Sequence, residues 1–106
     1  TLFDDWAVAN RASANSIVIQ GNIPGGNDCH VRFLDKVTYD EQEDRLRIVV
    51  RIKKRDDVNA CSASGGQKFF YRTKVTLESG VSVNTVQVIH YFQDEEKFNK
   101  SVELAD

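Results

Sequence analysis

The residues of this chain with the most versatile chemistry are two cysteines and two histidines: Cys29, His30, Cys61 and His90. Thiolate and imidazole together are the donors of a zinc-type site. Cys29 and His30 are adjacent, however, and neighbouring side chains on a strand leave opposite faces. One ion cannot readily take both, and neither C-x-x-C nor H-x-x-x-H spacing occurs. Pairing Cys61 with His90 or His30 would be the minimum for thiol nucleophilic catalysis. Nothing around Cys61 resembles a nucleophile elbow or a protease signature. The sequence therefore predicts no enzyme, no metal centre and no cofactor, and His90 reads as a histidine at the edge of the core.

Charged side chains offer two further sets. Asp40, Glu41, Glu43 and Asp44 supply oxygens of the kind calcium takes, without the D-x-D-x-D-G order of an EF-hand loop, and a solvated hairpin tip has the same composition. The cations are more suggestive. Arg45, Arg47, Arg51 and Lys53 alternate with apolar residues, as do Lys68, Arg72 and Lys74, with Phe70 among them. On strands, each set leaves one outward face. If both faces belong to one sheet, about seven cations gather on one side of a chain whose net charge is -2, a surface able to steer an anionic protein or acidic glycan. Lysine and arginine also serve on exposed strands simply to discourage edge pairing. Nucleic acid is not expected, because Phe70 alone could stack a base there.

The chain has 106 residues, enough for one domain, 1–106, with a single hydrophobic core. Hydrophobic residues make up 41% and charged residues 28%, a balance suited to sheets with one wet face. No apolar run approaches the roughly 20 residues that span a bilayer, so no membrane insertion is expected of this domain. A chain starting at Thr1 reads as processed, or as a module of a longer protein. Asn99-Lys100-Ser101 is an N-x-S glycosylation acceptor, relevant if the chain is exported.

Period-two alternation dominates. It predicts strands over Ser16–Ile23, Cys29–Tyr39, Arg45–Lys53, Gln67–Glu78 and Val81–Phe92. A weaker first strand runs through Trp6 and Val8, and 93–106 is either a last strand or a trailing linker. Such spacing fits a sandwich or barrel. Two hairpins register by apolar matching. One sets Tyr39 opposite Leu46, Val37 opposite Ile48 and Phe33 opposite Ile52. The other turns at Ser79-Gly80 and sets Tyr71 opposite Val88, Thr73 opposite Val86 and Phe69 opposite His90. Extending the first hairpin, a modest bend brings Cys61 back to Cys29. A bridge there would close a loop of about 30 residues and contribute about 3 kcal/mol. The predicted core is Ile17, Ile19, Val31, Phe33, Val37, Leu46, Ile48, Val50, Ile52, Tyr71, Val75, Val86 and Val88.

The run from Cys29 to His90 has a recognisable order. It passes through Leu34-x-x-Val37-x-Tyr39-Asp40, an acidic tip, Leu46-x-Ile48-x-Val50, Cys61, Tyr71-Arg72, a glycine turn and Val86-x-Val88-x-His90. This resembles the β-sandwich domains of exported archaeal cell-surface proteins and lipoproteins, although the halophilic examples are far more acidic. The resemblance covers about 60 residues in mid-chain and implies export, a Cys29–Cys61 disulfide and an immunoglobulin-like sandwich. The expectation is thus an antiparallel immunoglobulin-like β-sandwich of six to seven strands with one disulfide. It would be extracellular, monomeric as an isolated domain, and a non-catalytic module for protein or glycan contact. The second reading is a small secreted protease inhibitor presenting the loops Asn22–Asp28 and Val58–Gln67.

Overall fold

A computed structural model describes residues 4–27, 29–56 and 68–105. Among these, every regular element is a strand: β1 (Trp6–Ser13), β2 (Ser16–Pro24), β3 (His30–Asp40), β4 (Arg45–Lys54), β5 (Lys68–Thr76), β6 (Thr85–Phe92) and β7 (Glu95–Ala105). They form one mixed sheet in the order β3-β4-β6-β7-β1-β2-β5, curled until its edge strands β3 and β5 approach each other. The result is nearly a barrel. Its inner surface is the core, where Ile17, Ile19, Ile23, Leu46, Ile48, Ile52, Val86 and Val88 are essentially inaccessible to solvent. Burying each such side chain contributes roughly 1.5–3 kcal/mol.

The all-β character and the strand count agree with the sequence, but the pairing is not wholly antiparallel. β4 and β6 run parallel from Arg45↔Thr85 to Ile52↔Phe92. β1 and β7 are parallel too, joined by only Ala9↔Leu104 and Asn10↔Ala105. The expected hairpin between Lys68–Thr76 and Thr85–Phe92 does not form. β5 pairs with β2 instead, and β6 lies between β4 and β7. Burial accounts for the choice. β6 buries Val86, Val88 and His90 inward and Ile89 outward, and a strand that is apolar on both faces belongs inside a sheet. β5 turns a charged face outward and takes an edge.

The β3–β4 hairpin keeps its expected register at Tyr39↔Leu46 and Val37↔Ile48, then slips. A bulge between Leu34 and Lys36 sets Phe33 opposite Arg51 rather than Ile52. One inserted residue reverses the faces of everything beyond it. Phe33 consequently packs under Lys53, whose Nζ lies 5.2 Å from the ring centroid. Val31 and Phe33 are only half-buried, and Val37 is 39% exposed, so β3 contributes less to the core than its alternation predicts. The tail from 93 onward is a full strand. β7 turns back on β6 through Gln93 and Asp94, with Gln93 in the left-handed region at φ 57°.

One glycine is required by packing. Gly21 on β2 lies opposite Tyr71 on β5, and the Tyr71 hydroxyl occupies the space a side chain would need, with the Trp6 carbonyl oxygen beside it. Cys29 is fully buried just before β3, where its carbonyl accepts the Arg55 N–H at 2.6 Å. Its expected partner, Cys61, lies outside the described residues, as does most of the loop Val58–Gln67.

Candidate functional site: cationic strands and an open seam

Ten of the 14 lysines and arginines fall on β3, β4 and β5, along with only Asp35 and Asp40 of the 16 acids. Sequence reasoning placed cations on two of these strands and missed Arg32 and Lys36 on β3. That strand looked like core, and only a bulge signal could have shown otherwise. β4 and β5 are not paired with each other in the sheet. They flank β3 on the outside of the curl, so the three strands together carry the positive surface.

Not every cation on it is available. Arg51 is held by Asp35 (Nε to Oδ2, 3.0 Å), by the Gln93 carbonyl and by the Tyr91 ring 4.5 Å from its guanidinium carbon. Arg45 meets Glu43 at 3.2 Å. Among the described residues no ion pair engages Arg32, Lys36, Arg47, Arg72 or Lys74. Lys36, Arg47 and Arg51 border an outer groove of about 420 Å³ with Val49, Ile89 and Tyr91 in its lining. Asp35 and Thr38 line it too, and because Asp35 pairs with Arg51 the cations there left without an ion pair among the described residues are Lys36 and Arg47. Phe70 is 47% exposed on β5. Lys68 opens that strand, and its side chain lies outside the described set.

Where β3 nears β5, two hollows follow the seam. The first, about 220 Å³, is lined by Arg32, Phe33, Leu34, Val50, Tyr71, Arg72 and Thr73. The second, about 290 Å³, lies between Val37–Tyr39 and Val75–Glu78, with Leu46 and Val81 also lining it.

Behind the first hollow is a polar cluster that the sequence did not reveal. His90 is completely buried, with Nδ1 2.9 Å from Asp5 Oδ1 and Nε2 2.6 Å from the Tyr71 hydroxyl. The Phe98 ring stacks on the imidazole at 4.7 Å. A neutral imidazole satisfies both neighbours, donating from Nδ1 to the carboxylate and accepting the Tyr71 O–H at Nε2. Burial pushes His90 below its ordinary pKa, and Asp5 offsets this only in part. Burial, followed by the nearby Asp5 charge, pushes the Tyr71 phenol well up. Asp, His and a hydroxyl in series is the order of a proton relay. Here the series ends on a phenol that holds its proton more tightly than usual, and it ties β5 and β6 to the residue that precedes β1. His90 was expected at the core edge beside Phe69. It lies instead within the core, against Tyr71 and Phe98.

The acidic tip is largely occupied with its own turn. Asp40 Oδ1 accepts the backbone N–H groups of Gln42 and Glu43. Asp44, at φ 50°, accepts from the Tyr39 hydroxyl and the Asn84 amide. Among the described residues no three metal-ligating side chains converge. His30 does not face His90. Its Nδ1 lies 3.0 Å from Asn27 Oδ1, and its ring packs on Phe92. Asn99 is exposed on β7, its side chain bonded to Gln87 at 2.8 Å.

Comparison with protein-family models, with curated proteins and with solved structures finds no match for this chain.

Proposed function

We propose that the chain is a non-catalytic binding module that contacts an anionic partner, a protein or an acidic glycan, through the outer faces of β3, β4 and β5. The observation that carries this reading is the gathering of ten cations on three neighbouring strands of a chain with net charge -2. Such a surface raises encounter rates with anions and loses that advantage as salt rises. The test is retention on a sulfated polysaccharide matrix and on an acidic protein column. The pair Arg47→Glu and Lys74→Glu, both at exposed positions, is expected to weaken binding about tenfold at low salt. Unchanged retention of that variant, or no retention of the parent chain, would overturn the reading.

The same reading places the module outside the cell, on an immunoglobulin-like sandwich theme in which the two halves of the curled sheet face each other, with Cys29 bridged to Cys61. The complete burial of Cys29 supports a structural role for its sulfur. Intact mass after alkylating the unfolded chain checks this: two thiols are expected to become reactive only after reduction. Alkylation of both without reductant, in protein made under oxidising conditions, would remove the bridge and the argument for export with it.

A further inference from the structure

We propose that the seam between β3 and β5 is a peptide groove, in which an extended acidic segment of a partner protein lies along the free edge of β5. This rests on the binding-module reading and names the site and partner chemistry within it.

Three observations lead there. First, β5 is an edge strand whose ladder with β2 runs without a register shift from Ser16↔Thr76 to Pro24↔Lys68. Its other edge makes no ladder with β3, so its backbone donors and acceptors can take an added strand once β3, which approaches that edge, moves aside. β3 across the seam is bulged at Asp35 and makes a poorer template. Second, the two hollows have floor residues Val50 and Leu46, four positions apart on one face of β4. Four residues of extended chain span about 13 Å and return a side chain to the same face. A bound strand can thus seat residue i in one hollow and residue i+4 in the other.

Third, charge selects the occupant. Arg32 and Arg72 border the first hollow, and β5 carries Lys68, Arg72 and Lys74 with no acid. The second hollow is mainly apolar, with Val37, Leu46, Val75, Leu77 and Val81 in its lining. A carboxylate at the first position and an apolar side chain four residues on fit this pattern. A second copy of the chain does not, because pairing β5 with β5 sets cations against cations.

The experiment is selection of a phage-displayed library of random linear dodecapeptides on the full chain, with synthetic winners then measured by fluorescence anisotropy. Enrichment of peptides with an acidic residue four positions from an apolar one is expected. Their binding should weaken about tenfold or more in Arg32→Glu/Arg72→Glu and in Val37→Lys, and little in Lys100→Glu on β7. These positions are exposed, and circular dichroism verifies that each variant folds. Winners that respond to Arg47→Glu but to neither seam variant would overturn the groove while leaving the binding module intact. So would a sulfated oligosaccharide that binds when no peptide is enriched.

Discussion

Replacing Gly21 with alanine is expected to lower the stability of the fold by about 3 kcal/mol, near the top of the range for forcing atoms into a packed interior. The added methyl would clash with the Tyr71 hydroxyl and ring, and would sit 2.6 Å from the Trp6 carbonyl oxygen. The backbone on one side cannot yield without opening the β1–β2 ladder, which pairs Ala7 with Gly21. Tyr71 cannot yield without giving up its 2.6 Å contact with His90. A urea titration measures the loss. The mechanism has its own check, because shortening Tyr71 to leucine removes the atoms responsible. In that background Gly21→Ala should cost at least about 1 kcal/mol less than in the parent chain. Strict additivity of the two changes would show that Tyr71 is not what excludes the methyl.

Acid is expected to weaken the domain through His90. Its folded pKa lies below the unfolded value of about 6.5, so the unfolded chain takes up the proton first as pH falls. The stability this residue confers is therefore complete above about pH 6.5 and declines as pH drops below it. Tyr71 acts at the other end. Its raised pKa means that stability is lost as pH climbs past about 10, where the unfolded phenol ionises before the folded one. His90→Gln can still donate and accept hydrogen bonds but does not titrate. It is expected to cost about 2 kcal/mol at pH 7.5 through poorer fit, and to narrow the gap between melting temperatures at pH 7.5 and pH 5. An undiminished gap would assign the acid sensitivity to other groups.

Individual strands were plain in the sequence because alternation is a local property. Leu46, Ile48, Val50 and Ile52 against Arg45, Arg47, Arg51 and Lys53 admit little else. Partners were harder to read, since apolar faces match in more than one way. Val86 and Val88 suit Tyr71 and Thr73 as well as they suit Leu46 and Ile48. What decided between them was the double-sided burial of β6 and the fit of Tyr71 over Gly21, a contact between residues 50 positions apart. The bulge at Asp35 left only a faint local sign. Val31, Phe33, Val37 and Tyr39 share one parity, and the polar Asp35 at that same parity, beside the apolar Leu34, is the single break that marks the slip. The basic surface was half legible: the cations of β4 and β5 were identified, while the strand between them was assigned to the core. Asp5 could not have been connected with His90 from sequence, because 85 residues separate them.

The joint between β1 and β7 gives the domain a mechanical character. These strands run parallel, so tension applied at Asp4 and Ala105 slides one past the other and loads both of their ladder pairs at once. With only two such pairs, the joint resists little on its own. The contact of Asp5 with His90 lies near the same end of β1 and acts as a second latch. Once these give way, together with the Tyr71–His90 and Arg11–Val83 hydrogen bonds that cross the same division, β5-β2-β1 can swing from β7-β6-β4-β3 as two leaves, each still internally hydrogen-bonded. A tethered module built this way would unroll under load before it unravelled.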